Sequence, residues 1–157
     1  YTQERIATAY ADFLRAIYPI MQALAVIIVN WNTRDLLRGC LTSIDAQLPH
    51  ADRQIVVVDN DSEDGSADMV AAEFAAVTVI RCDSNLGFAR ANNRGVAATQ
   101  SRHALLLNSD TLASTAALDA LVRAMDADTA LGALSPLLRT PDGGAQPYAF
   151  GADPRPA

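Results

Sequence analysis

The chain has 157 residues, 50% of them apolar and 19% charged, with a formal net charge of -6 and a pI near 4.7. That is the length of one domain with enough apolar surface for a core, which excludes a chain disordered throughout. The acidic balance, with no dense basic run, excludes a nucleic-acid partner held through its phosphates.

No apolar run reaches about 20 residues, the length of a membrane span, and no signal peptide is visible. Cys40 and Cys82 lie in apolar segments without C-x-x-C or metal spacing, so they read as buried reduced thiols of a cytosolic protein. The chain begins with Tyr1 rather than Met and is read as a piece of something longer.

In chain order, Ile6, Tyr10, Phe13, Leu14, Ile17 and Met21 recur at helical spacing and Pro19 marks the end of that helix. Residues 1–22 are therefore expected to be an amphipathic arm or linker. Its polar face mixes Glu4 and Asp12 with Arg5 and Arg15, which favours packing on its own domain or a neighbour over lying on a membrane.

Strand-length apolar runs follow at 24–29, 54–59, 77–82 and 103–108, with a weaker one at 131–138. Between them, helical periodicity is carried by Leu36, Leu37, Cys40, Leu41 and Ile44, then by Met69, Val70, Glu73 and Phe74. A third helix is marked by Phe88, Ala91, Asn92, Gly95 and Val96, and a fourth by Leu118, Leu121, Val122 and Met125. Thr33, Ser66 after Gly65, and Ser114 or Thr115 are the expected helix caps. Continuous apolar strands alternating with helices predict an α/β fold with a doubly wound, mostly parallel sheet over 23–145. After Arg139, Pro-Asp-Gly-Gly is a turn signal for a hairpin or loop, and 146–157 reads as an unfinished tail.

In an open parallel sheet, ligands bind beyond the carboxyl ends of the strands. The first run ends in Asn30, Trp31 and Asn32, the second in the segment 59–66, the third in 83–93, and the fourth in Asn108, Ser109, Asp110 and Thr111. Singly, these are explained as Asx turns, a packed tryptophan, a positive-φ Gly87 or a helix cap. Together they place the oxygen-bearing groups at successive strand ends and imply one polar crevice. Other sites are excluded by their missing motifs: "NWNTRDLL" lacks the glycines of a dinucleotide loop, and there is no P-loop or nucleophile elbow. His50 and His103 are far apart and form no triad.

Four segments, "VIIVNWNTRDLLRGCLTSI", "IVVVDNDSEDGS", "NLGFARANNRG" and "LLLNSDT", in this order and spacing resemble the nucleotide-binding half of glycosyltransferase family 2, with the Rossmann-like GT-A fold. The second and fourth strand ends are similar to its rhamnosyltransferase-like branch. The resemblance covers 25 to about 145 and stops short of a whole enzyme.

It implies that Trp31 stacks on a pyrimidine, with Asn30 and Asn32 holding its loop, and that Asp59 and Asn60 meet the base edge and ribose. It places Asn85, Gly87, Arg90 and Asn93 in the loop closing over the nucleotide, with Asn108 beside them. Asp110 matches the metal-binding aspartate of D-x-D, whose first acidic member is here Asn108, so a divalent cofactor, Mg2+ or Mn2+, is expected. The inverting members' general base lies beyond the donor half, and neither Asp142 nor Asp153 is assigned that role, so the catalytic residue is unknown.

The implied partners are a dTDP- or UDP-sugar and a glycan or lipid-linked acceptor, in bacterial glycan biosynthesis. The implied place is the cytoplasm or the inner face of its membrane, with peripheral association of the intact protein. The alternative is a non-catalytic transferase-like module with an assembly or nucleotide-sensing role.

Overall fold

The structure, a computed structural model, describes residues 22–46 and 52–146. The expected N-terminal arm, His50 and the end of the tail lie outside the described residues. No helix among the described residues is long and apolar enough to cross a membrane.

The described chain divides into two compact units, one running to Thr115 and one from Ala116 onward. The first is built as β1 (Gln22–Asn30), α1 (Arg34–Ser43), β2 (Arg53–Asp59), α2 (Ser66–Glu73), β3 (Thr78–Arg81), α3 (Phe88–Ala97) and β4 (Ser101–Asn108). All strand pairs are parallel, in the order β3-β2-β1-β4. The chain thus winds outward from β1 to β3, then crosses back to lay β4 on the other side of β1.

Strands β1 and β2 form where the sequence offers unbroken β-branched and aliphatic residues, which suit a sheet buried on both faces. Ala25 to Ile28 and Val56 to Val58 are fully buried. Each valine and isoleucine among them adds roughly 1.5–3 kcal/mol on leaving water. On one face, α3 lies close because Gly95 has no Cβ: one built there would fall within contact of Ile27 Cγ2 and 3.1 Å from Val58 Cγ2.

Strand β4 departs from the expected continuous burial, because it is an edge strand among the described residues. Its side chains alternate between half-buried and exposed, and Leu106, opposite the buried Ile27, is 51% exposed.

The second unit contains most of α4 (Thr115–Ala127), whose buried residue is Leu118. No strand forms at 131–138. The Pro-Asp-Gly-Gly signal does produce a hairpin-like turn, closed by the Arg139–Ala145 bridge and the Gly143 N–H donating to Thr140 O at 2.8 Å. Gly143, just after the two central residues of the turn, takes a positive φ of 86°, which glycine adopts without strain.

Candidate functional site

The strand order reverses at β1, whose neighbours β2 and β4 lead their following loops apart at the carboxyl end of the sheet. Such a switch point leaves the crevice that α/β folds use for ligands. Register sets its floor: Asn30 pairs with Asp59, while Ser109 follows one residue after the last β1–β4 pair, Val29 with Asn108.

Asn30 is fully buried and both ends of its amide are hydrogen-bonded. Its Nδ2 donates to Asp59 Oδ1 at 3.3 Å and Ser62 Oγ at 3.2 Å, and its Oδ1 accepts the Thr33 hydroxyl at 2.6 Å. Asn32 takes a positive φ of 53°, donates its N–H to Ser62 Oγ at 3.0 Å and accepts the Glu63 N–H at 2.8 Å. These bonds fix the first loop to the second and leave Trp31 projecting, 56% exposed. An aromatic ring held out on a stapled loop is available for stacking.

Asp59 is 5% exposed and also accepts the Ser62 N–H at 3.3 Å. Asn60, expected at the base edge, is itself engaged in the loop framework. Its Nδ2 donates to Asn85 Oδ1 and its Oδ1 accepts the Leu86 N–H, both at 2.8 Å, so it ties the second loop to the third. Asn85 Oδ1 accepts a second bond from the Gly87 N–H at 2.9 Å, and Gly87 has the expected positive φ, 76°. Arg90 and Asn93 are exposed on the first two turns of α3. Asn92 is buried, its Nδ2 donating to Phe88 O at 3.0 Å.

Asn108 and Asp110 are both exposed, in a turn closed by the Thr111 N–H donating to Asn108 O at 3.1 Å. Ser109 between them is half-buried, its Oγ 2.9 Å from Thr33 Oγ1. Beneath the turn, the Cys40 thiol donates to Asn108 O at 3.7 Å. Burial, and secondarily the charge of Asp110, push this thiol up to about 12, so it is a packing group and not a nucleophile. Both cysteines are free and buried, as expected.

Sequence reasoning missed Thr33, Ser62, Asp64 and Ser109. Thr33 was expected to cap α1, but its hydroxyl is spent on Asn30, and Asp64 supplies the cap instead by accepting the Arg34 N–H. Nor does Ser66 cap α2, whose first position is preceded by Gly65 in the left-handed region; the Ser66 N–H is taken by Asp64.

Among the described residues no three His, Cys, Asp or Glu side chains converge as a ready metal cage. The oxygen donors of the β4 turn nevertheless suit a hard divalent ion, since Mg2+ is commonly held by one or two carboxylates together with substrate phosphates. Asp110 offers the exposed carboxylate and Asn108 a neutral amide oxygen.

Residues 25–148 match the model of Glycosyl transferase family 2. The chain belongs to this family. Among solved family-like structures, a mannosyltransferase from Pyrobaculum calidifontis in complex with GDP-Man and Mn2+ is 25% identical with a TM-score of 0.68, over 79% of this chain and 38% of its own. S. aureus TarS residues 1–349 in complex with UDP is 21% identical with a TM-score of 0.61, over 68% of this chain and 32% of that one. The same TarS segment in complex with UDP-GlcNAc gives 21% and 0.60. The family 2 chain thus spans between a fifth and two fifths of the structures it resembles. No curated protein sequence matches it.

Proposed function

We propose that the chain is the donor-binding part of an inverting glycosyltransferase that moves a sugar from a nucleoside diphosphate to a hydroxyl of a glycan or lipid-linked acceptor. The observation carrying this reading is the continuity of the rim: Asp59, Asn30, Thr33 and Ser109 form one hydrogen-bonded row between the exposed Trp31 and the exposed Asp110. Base platform and phosphate end are thereby held in one piece. The bound molecules of the neighbouring structures, UDP, UDP-GlcNAc and GDP-Man with Mn2+, support the substrate class.

In this reading Trp31 stacks on the base, and Asp59 lies at the ribose. Asn60 offers the lone pair left on its Oδ1 while holding the loop of Asn85 and Gly87 closed. Arg90 and Asn93 face the diphosphate from α3, where Arg90 offsets phosphate charge, and Asn108 and Asp110 hold Mg2+ or Mn2+. Such an ion offsets the negative charge developing on the departing nucleoside diphosphate. The base that activates the acceptor hydroxyl is assigned to none of this chain's carboxylates. From the branch resemblance, rhamnose is the proposed sugar and dTDP or UDP the proposed carrier. The proposed setting is bacterial glycan synthesis in the cytoplasm or at the inner face of its membrane.

Ligands that bind only the folded state raise the unfolding midpoint. With Mn2+ present, dTDP, UDP or GDP is expected to raise the midpoint of this chain. If none does so at millimolar concentration, the donor-site reading fails and a non-catalytic assembly module takes its place.

A further inference from the structure

The Thr33–Ser109 contact crosses the switch point, joining loops that are 76 residues apart in sequence. Its direction can be worked out. Asn30 Nδ2 faces the Asp59 carboxylate, which only accepts, so Asn30 presents its oxygen to Thr33. That oxygen takes the single proton of the Thr33 hydroxyl, at 2.6 Å. Thr33 Oγ1 then has only lone pairs for Ser109, and the 2.9 Å bond is donated by the Ser109 hydroxyl. The result is a one-way chain: Ser109 to Thr33, Thr33 to Asn30, Asn30 to the Asp59 carboxylate. Successive donors aligned toward an anion polarise and strengthen one another.

Ser109 is the residue immediately before Asp110, inside the turn closed by Thr111 N–H and Asn108 O. Its hydroxyl ties that turn, and with it the backbone that carries Asp110, to the loop after β1. We propose that Ser109 is a positioning residue that couples the divalent-ion position at Asp110 to the nucleoside position at Asp59 and Asn30, so that metal ion and nucleoside diphosphate bind cooperatively. Shared diphosphate contacts would link ion and nucleotide in any case; the chain of donors adds to that link by tying the turn of Asp110 to the residues around Asp59. The inference rests on the donor-site reading above and goes beyond it, because Ser109 itself touches neither ligand.

The test is calorimetric titration of the 157-residue chain with UDP, dTDP or GDP, with and without Mn2+. The readout is the ratio of the two affinities, which a partial loss of folded protein does not change. Coupling between sites is commonly about 5- to 150-fold. Ser109→Ala is expected to lower the Mn2+-dependent gain at least about fivefold, Ser109→Thr to retain it, and Thr33→Val to reproduce the loss from the other end. The double variant Thr33→Val with Ser109→Ala is expected to lose no more than either single one, since both break the same bond. If Asp110→Ala abolishes the metal-dependent gain while Ser109→Ala and Thr33→Val keep it, this inference is overturned and the donor-site reading stands. If the wild-type chain shows no metal-dependent binding of UDP, dTDP or GDP, both fall together.

Discussion

The Asp64 carboxylate accepts the Arg34 N–H at 2.8 Å, so the second crevice loop caps the helix that begins at the end of the first. Its other oxygen accepts the Ser66 N–H at 3.0 Å as well as the Ser66 hydroxyl. One side chain thereby serves the amino ends of both α1 and α2, where the helix dipoles favour negative charge.

Asp64→Ala is expected to lower stability by about 1 kcal/mol, the usual cost of a lost cap. Burial alone would raise the Asp64 pKa, but the Ser66 hydroxyl and the Arg34 and Ser66 N–H groups outweigh it and hold the carboxyl below its ordinary value. A carboxylate with a lowered folded pKa adds stability that is complete above the ordinary aspartate value of about 4 and is lost as pH falls through the folded value. Denaturant midpoints of wild type and Asp64→Ala should therefore differ at neutral pH and converge on acidification below about pH 4. A constant difference across that range would contradict the role given to the charge.

Gly95→Ala is expected to destabilise the first unit. The added methyl enters Ile27 Cγ2 and approaches Val58 Cγ2 to 3.1 Å, both on fully buried side chains. Overpacking of this kind costs about 1–3 kcal/mol, more than the gain in helix propensity returns. Gly132→Ala, where a Cβ meets nothing within 4 Å, is the control and should change stability by less than about 0.5 kcal/mol. Urea unfolding curves of the two variants make the comparison.

Burial raises the Cys40 thiol from 9.0 to about 12, so the thiolate is absent from the folded chain at neutral pH. Iodoacetamide should leave Cys40 unmodified in the native chain and label it after denaturation, as peptide mass spectrometry can show. The raised value also predicts that this group's contribution to stability is complete below pH 9.0 and falls away as pH rises toward about 12. Native labelling of Cys40 would mean that the floor of the β4 turn opens readily.

The chain has a single tryptophan, and it is Trp31, 56% exposed at the crevice. Its fluorescence should be quenched by UDP binding. Trp31→Ala should fold as stably as wild type but bind UDP about tenfold more weakly, since stacking of a base on an aromatic ring contributes about 1–3 kcal/mol. Unchanged affinity in that variant would remove Trp31 from the base site.

Local pattern carried the fold well where one residue's burial repeats with its neighbours'. The apolar runs at 24–29 and 54–59 announced β1 and β2 because both of their faces are covered. The run at 103–108 gave a strand but not its exposure, since three leucines look alike whether the strand is central or outermost. The run at 131–138 has the composition of a strand and forms none. At the site, the oxygen-rich strand ends pointed to the crevice, yet the Asn32–Ser62 and Thr33–Ser109 bonds were not foreseen. Their partners lie 30 to 76 residues apart, and no local spacing encodes such pairs. The structural ties of Asn60 were hidden for the same reason: its bonds to Asn85 and Leu86 exist only once β2 and β3 are side by side.

The most direct measurement is the calorimetric titration of wild type and Asp110→Ala with UDP, dTDP and GDP in the presence and absence of Mn2+. Mn2+ is expected to strengthen binding in wild type, with that strengthening lost in Asp110→Ala while the variant's melting midpoint stays unchanged. Nucleotide binding by wild type that Mn2+ does not alter, or a folded chain that binds no nucleotide, would contradict the donor-site reading.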